Sequence, residues 1–385
     1  MICKLSDIVN TANTGADAIK KAPILNEPTN LRCLRIGDVS QKRDFSMWGY
    51  TKTSKMDYER YKLHKGDSII ARTGNTIGVC TYIEDDIESV YNNGLIRLTA
   101  KKELARERFL FYLIRSTACQ DYIQSIAYGT STQPNMKIKD FLNFDIIVPT
   151  LEIQDKIIAI VDKIEKKIQV NTEINNNLEQ QAQTIYQQMF IDNARSDWAE
   201  GTLSDIADIT MGQSPNGSSY NEDGTGTIFF QGRAEFGFRF PSVRLYTTEP
   251  KRMARSNDTL MSVRAPVGDL NVAHMDCCIG RGLAAIHSKS HHQSFVLYTM
   301  FSLKKQLDVF NGEGTVFGSI NRNSLNDMPI FIPSDDILDE FERIVAPMDL
   351  TIRNNYDENC RLQDIRDTLL PRLMSGELDV SDIDI

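Results

Sequence analysis

LEIQDKIIAIVDKIEKKIQVNTEINNNLEQQAQTIYQQMFI, running from Leu151 to Ile191, contains neither glycine nor proline. Its apolar residues recur at Ile157, Val161, Ile164, Ile168, Ile174, Leu178, Ala182, Ile185 and Met189. Those steps are mostly three and four, which puts a narrow apolar stripe along one side of a helix. At about 1.5 Å rise per residue the helix runs roughly 60 Å, several times the usual length of about 10–14 residues. Pro149 just ahead marks its start. A long helix with one narrow seam needs a second helix against it.

The rest of the chain sets the bounds. Its 385 residues leave room for two or three domains, with 41% apolar and 25% charged residues. Runs such as Phe109 to Ile114 are too short to span a bilayer, and MICKLSDIVN lacks the apolar core of a secretion signal. Seven cysteines (Cys3, Cys33, Cys80, Cys119, Cys277, Cys278, Cys360) are scattered without a C-x-x-C. That pattern predicts a reducing cytoplasm rather than a disulfide framework. The net charge of −9 is uneven: residues 1–148 are +4, 149–191 and 192–333 are −2 each, and 334–385 are −9. A local basic face is compatible with this distribution, although the whole chain is a weak polyanion binder.

Ahead of the long helix, LRCLRIGDV and DSIIARTGNTIGVCTYI read as short strands broken by Gly and Asn, and ERFLFYLIRSTACQDYIQSI as helix. Beyond it the pattern restarts. LSDI at Leu5 returns at Leu203, and Lys65–Thr73 (KGDSIIART) is answered by Ser256–Arg264 (SNDTLMSVR). Asn93-Gly-Leu is answered by Arg281-Gly-Leu, ERFLFYLI by QSFVLYTM, Gly129-Thr130 by Gly314-Thr315, and FDIIVP by MPIFIP. Six matches in one order predict an internal duplication.

The second copy also ends in a helical stretch, Ile337 to Leu373, with a seam at Phe341, Val345, Met348, Ile352, Asn355, Asn359, Leu362, Leu369 and Leu373. Pro347 predicts a kink or break near Ala346. Asn171, Asn355 and Asn359 fall on the seams, where polar residues fix register at a cost in stability. The predicted fold is α+β: two similar mixed α/β domains separated by two long helices that form an antiparallel coiled coil. The expected boundaries are 1–149 for the first domain, 150–195 for the central helix and 196–334 for the second domain. The second helix is expected at 335–375 and an acidic tail at 376–385.

Catalytic motifs are missing: there is no phosphate-binding G-x-x-x-x-G-K-[ST], no G-x-G-x-x-G after a strand and no G-x-S-x-G elbow. His274, Cys277, Cys278, His287, His291 and His292 have spacings that fit no zinc pattern, so no metal site is expected. Arginines beside tight turns are more informative: Arg72 in RTGN (with Thr73 and Asn75) and Arg264 in RAPVG. A guanidinium fork suits phosphate or the major-groove edge of guanine, and a turn presents it at a fixed place. Further candidates are Lys42 and Arg43 in QKRDFSMWGY, Arg233 in QGR, and Arg239 and Arg244 in FGFRFPSVRLY. Thr130, Gln133 and Asn135 in YGTSTQPN, Arg281, Thr315 and Arg322 complete the set. The alternative, that these arginines pair with nearby carboxylates and the aromatics fill the core, stays open at this point.

With MSVRAPVGDLNVA (Met261 to Ala273), the GT loops ahead of IVP and FIP, and LLPRLMSGELDV (Leu369 to Val380), the chain resembles the specificity subunits of type I restriction–modification systems over essentially its full length. The resemblance implies two target-recognition domains alternating with two long helices, and a non-catalytic chain that reads a bipartite, asymmetric double-stranded DNA target. It implies as partners two methyltransferase subunits and an ATP-dependent restriction subunit. S-adenosylmethionine, ATP and Mg would sit on those partners, and no cofactor on this chain. The outer faces of the helices, rich in Gln and Asn at Asn175–Gln188 and acidic at Asp335–Glu342, would be the docking surfaces. Copy one departs from the pattern, with Arg72-Thr-Gly in place of Arg-Ala-Pro, and Gln133-Pro-Asn135 has no evident counterpart in Gly318-Ser-Ile320. A DNA-binding regulator or scaffold on the same frame is the alternative; a metal-dependent nuclease has little in its favour.

Overall fold

A computed structural model describes residues 2–128, 134–312, 318–381 and 383. The chain forms two compact units, Met1–Gln169 with Glu358–Ile385, and Val170–Asp357. Each is a mixed α/β body built with segments of both long helices.

The first unit carries a four-stranded antiparallel sheet in the order Val9–Thr14, Leu95–Ala100, Ser68–Ala71, Cys80–Tyr82. Ser68–Ala71 is buried on both faces, which its apolar run anticipates. A three-stranded sheet pairs Arg32–Leu34 antiparallel to Gly49–Tyr50 and parallel to Ser89–Tyr91. Against the four-stranded sheet lies the helix Glu107–Arg115, with Phe109 to Ile114 all buried. The second unit has a four-stranded sheet with the corresponding order, Ala207–Met211, Leu283–Ser288, Thr259–Ser262, Leu270–Val272, all antiparallel. Its second sheet has five strands, and its core helix Gln293–Ser302 is apolar around most of its circumference and buried accordingly.

The central helix spans Leu151–Tyr186 and closes with a wider turn, Gln187–Asp192. The C-terminal helix spans Asp335–Ser375. Within each unit their segments run antiparallel. In the first, Glu165 Oε1 lies 3.2 Å from Arg366 Nη1 and Lys167 Nζ 3.1 Å from Glu358, and Ile157 and Val161 share a core with Leu370 and Leu373. In the second, Asn355 Nδ2 donates to Asn175 Oδ1 (2.8 Å), Asn175 Nδ2 donates to the Ile352 carbonyl (3.2 Å), and Ala182 and Tyr186 pack with Phe341 and Val345.

Three expectations are corrected here. Pro347 breaks nothing: it lies on the exposed side while Val345 and Ile352 are buried, so losing one N–H leaves the packed face intact. Ile174 is 40% exposed and Asn175, expected on an outer face, is buried at 4%. The seam steps from Ile168 through Asn171, Asn175 and Leu178 to Ala182, in threes and fours throughout. Glu342, expected on an outer acidic face, instead turns its carboxylate to the backbone N–H groups of Ser294 and Phe295. It thereby satisfies two donors at the start of the core helix.

Candidate nucleic-acid interface

In each unit the strand at the centre of the four-stranded sheet runs into a tight turn, and a later segment of chain lies across that turn. In the first unit the Arg72 carbonyl accepts from Met136 N (2.8 Å), Gly74 N donates to the Pro134 carbonyl (3.2 Å), and Thr73 bridges Asn135. In the second, the Val263 carbonyl accepts from Ile320 N (3.1 Å), Ala265 N donates to the Gly318 carbonyl (3.0 Å), and Arg264 bridges Ser319. Asn135 therefore does have a positional counterpart, Ser319. Both lie fourteen residues before the proline that ends their strand, Pro149 and Pro333, a signal present in the sequence.

The two arginines are not counterparts. By these bonds Arg264 stands where Thr73 stands, and Arg72 stands where Val263 stands. Successive strand residues face opposite sides, so a shift of one changes what the side chain meets. Val263 is buried. Arg72 is half-buried, with its Nε enclosed and its Nη2 donating to Asn135 Oδ1 (3.1 Å). Arg264 is exposed and has no ion-pair partner among the described residues.

Arg281 is held beside Arg264. Val263 N donates to the Gly282 carbonyl (2.9 Å), so the two turns lie edge to edge. Arg281 sits between two glycines pressed on the chain at Gln231: a Cβ on Gly280 would come within 2.7 Å of the Gln231 carbonyl, and one on Gly282 within 3.0 Å. Only glycine permits that approach. Arg281 itself is exposed, with its backbone N–H on Ser214 Oγ (3.3 Å).

The other candidates divide by what already holds them. Arg322, in the first turn of a short helix, and Lys42, in a left-handed backbone conformation at φ 50°, are exposed without an ion-pair partner among the described residues. Asn75 is exposed in the Arg72 turn. Arg43 lies 3.3 Å from Asp38, and with Lys42 it lines a cleft of about 820 Å³ shared with Arg108, Arg115 and Lys166 rather than the Arg72 turn. Arg233 pairs with Asp269, and Arg244 lies 3.1 Å from Glu235 and 3.5 Å from Glu222. Thr130, Gln133 and Thr315 lie outside the described residues.

Arg239 is a correction. It is 4% exposed, bound to Glu179 (2.9 Å), to Asp349 and to the Tyr298 hydroxyl (3.3 Å), and so cannot reach a ligand at the surface. Burial pushes Glu179 above the usual carboxylate range in spite of the attraction of Arg239. The aromatic–basic run FGFRFPSVRLY gave no hint of this, because both carboxylates come from helices more than fifty residues away in sequence.

Residues 1–180 match the family described as type I restriction modification DNA specificity domain. The chain is 28% identical, over 98% of its own length and 93% of the other's, to a Methanocaldococcus jannaschii protein assigned as the type I restriction enzyme MjaX specificity subunit. It is 23% identical to the type I restriction enzyme HindI specificity subunit of Haemophilus influenzae, covering 82% of this chain and 87% of that one. In fold it is similar to the type I restriction–modification S subunit from M. genitalium, with a TM-score of 0.59 at 14% identity over 99% of this chain and 96% of that one. Sequence motifs and these relatives converge: the chain is similar to the specificity subunits of type I restriction–modification systems.

Proposed function

We propose that this chain is the DNA-reading, non-catalytic subunit of a type I restriction–modification complex, and that it reads a bipartite, asymmetric double-stranded target. The observation that carries this reading, beside the family likeness, is the pair of exposed arginines on adjoining turns, Arg264 and Arg281, which have no ion-pair partner among the described residues. A fork of two guanidinium groups suits base edges and phosphates, and most protein–DNA bonds position while a few specify. In the first unit the corresponding turn offers Thr73, Asn75 and Asn135 instead. Two such different surfaces suit two different half-sites.

The matching strand orders of the two four-stranded sheets support an internal duplication. The antiparallel contacts of the helix segments support a coiled coil with Asn171, Asn175, Asn355 and Asn359 as its polar positions. That pair of helices is the spacer between half-sites. Its solvent-facing glutamines and asparagines dock two methyltransferase subunits, which bring S-adenosylmethionine, and the complex is completed by an ATP- and Mg-dependent restriction subunit. The assembly acts in the cytoplasm, and the seven free thiols are compatible with that compartment.

Methylome sequencing of a host carrying this gene and its methyltransferase partner tests the reading directly. A single motif of two short half-sites separated by unspecified bases is expected; a continuous motif, or none, overturns it. Arg264→Ala should remove or relax specificity in one half-site only. Four residues inserted after Asn176, matched by four opposite them in the C-terminal helix, lengthen the helices by about 6 Å. At 3.4 Å per base pair that should widen the spacer by about two base pairs and leave both half-sites intact.

A further inference from the structure

His291 and His292 immediately precede the core helix of the second unit, and His292 is its capping residue. Asp339 lies in the second turn of the C-terminal helix, in the same unit. Their side chains meet: His291 Nε2 is 2.7 Å and His292 Nε2 2.8 Å from the same carboxylate oxygen, Asp339 Oδ1. One ligand atom from each of the three lies within 4.8 Å of the other two. We propose that His291, His292 and Asp339 bind a divalent transition-metal ion of the zinc class, which staples the core helix to the long helix beside it.

The geometry supports the proposal in four ways. Zinc bonds of about 2.0–2.2 Å to nitrogen and oxygen in tetrahedral array place neighbouring ligand atoms roughly 3.3 Å apart. An outward shift of about half an ångström in each contact turns the present hydrogen-bonded trio into a coordination sphere. Orientation is also preset. His292 has a side chain only 4% exposed, and its Nδ1 lies 2.9 Å from Ser290 Oγ. A hydroxyl accepting from Nδ1–H leaves the Nε2 lone pair facing the ion, the arrangement that outer partners impose on histidine ligands. His291 and Asp339 are 74% and 57% exposed, so the remaining coordination positions open to water or to a partner's side chain. Two imidazoles and one carboxylate select zinc, cobalt or nickel over magnesium or calcium, which require oxygen ligands.

The first unit closes the corresponding junction differently. There Arg106, the capping residue of Glu107–Arg115, makes a two-pronged pair with Asp155 of the central helix, at 2.8 Å for both bonds. A junction that an ion pair holds in one unit is held by a metal in the other, so the first unit is an internal control. The spacing of the histidines alone conceals the site, because its third ligand lies forty-seven residues downstream of His292.

The test uses the full-length, untagged chain, stripped with chelator and titrated with zinc sulfate by calorimetry, and with cobalt chloride followed by visible absorption. The expected result is one zinc per chain at micromolar or tighter affinity, unaffected by millimolar magnesium. The cobalt spectrum should carry no thiolate charge-transfer band, which separates this site from the cysteines. His291→Gln and Asp339→Asn, both at exposed side chains, should each weaken binding at least tenfold and abolish the zinc-induced rise in melting temperature. Arg106→Gln should leave zinc affinity unchanged. Zinc affinity that is the same in wild type and both site variants, a thiolate band, or competition by magnesium would each overturn the proposal.

Discussion

Tyr112 and Tyr298 stand at corresponding places on the core helices of the two units, and each gives its hydroxyl proton to an aspartate of a long helix. Tyr112 donates to Asp162 of the central helix, and Tyr298 donates to Asp349 of the C-terminal helix (2.8 Å). In each unit an arginine covers the tyrosine ring and binds the same aspartate: Arg108 over Tyr112 at 5.3 Å, Arg239 over Tyr298 at 5.6 Å. The origin of that arginine differs. Arg108 comes from the core helix itself, is 21% exposed and shares its charge with Glu84. Arg239 comes from a loop far upstream, is almost wholly buried and also holds Glu179. The tyrosine–aspartate tie thus belongs to the shared frame, while its cation is drawn from whichever segment each domain has available. A domain can therefore change its loops and keep its attachment to the helices.

That contrast predicts unequal costs. Arg239→Met leaves two carboxylates that are at most a fifth exposed, Glu179 and Asp349, without a cation and should destabilise the second unit by about 3 kcal/mol. Arg108→Met leaves the partly solvated Asp162 and should cost roughly 1 kcal/mol in the first unit. Hydrogen exchange, read separately on peptides of each unit, distinguishes the two. Adding Glu179→Gln and Asp349→Asn to Arg239→Met should recover a large part of the loss, because the penalty comes from the stranded charges. Equal protection losses in the two single variants would break the comparison.

Acid titration sharpens it. In the first unit burial raises the pKa of Glu165, but Arg115 (2.8 Å) and Arg366 (3.2 Å) outweigh it and hold the carboxyl below its ordinary range. In the second, burial dominates and Glu179 is raised. A lowered carboxyl contributes stability that is present above the unfolded pKa and lost as pH falls through the folded one. A raised carboxyl has the opposite sign: its contribution is full below the unfolded pKa and lost as pH rises through the folded one. Glu165→Gln should therefore cost roughly 1.5–3 kcal/mol at pH 7, a cost that shrinks below about pH 4.5. Glu179→Gln should be nearly neutral at pH 7. Exchange protection at pH 7 and pH 4 checks both, and a larger loss at pH 7 from Glu179→Gln than from Glu165→Gln would contradict the assignment.

Much of the frame is legible in sequence because it depends on local rules. A Gly- and Pro-free run after Pro149 specifies the central helix, and short β-branched runs between Gly and Asn specify strands. The seam is harder to read. The step of six from Ile168 to Ile174 interrupts the threes and fours, and the positions that restore them are polar, Asn171 and Asn175. Asn175 is tolerated there because Asn355 and the Ile352 carbonyl satisfy it. The candidate interface is only half legible. Arginine beside a turn selected Arg72 and Arg264, of which Arg264 is exposed, while the aromatic–basic run selected Arg239, whose partners are remote in sequence. The match of Lys65–Thr73 to Ser256–Arg264 already sets Arg264 against Thr73, and the strand pairing agrees, so Arg72 and Arg264 look alike only in residue type and nearness to a turn.

The smallest expected effect tests that last distinction. Arg264→Ala removes an exposed side chain that touches no carboxylate among the described residues, so stability should change by less than about 0.5 kcal/mol. Arg72→Ala removes the bond to Asn135 Oδ1 that fastens the chain lying across its turn, and should cost about 1 kcal/mol. The loss should be local, confined to faster exchange at the amides of Gly74 and Met136, which pair across the same turn. On DNA the order reverses: Arg264→Ala should weaken binding to the cognate target by about 1–3 kcal/mol if it grips a base with both prongs, whereas Arg72→Ala acts through the placement of Asn135 and should be restored in part by lysine. A larger stability loss from Arg264→Ala than from Arg72→Ala would contradict the contrast between an exposed Arg264 and an Arg72 fastened to Asn135.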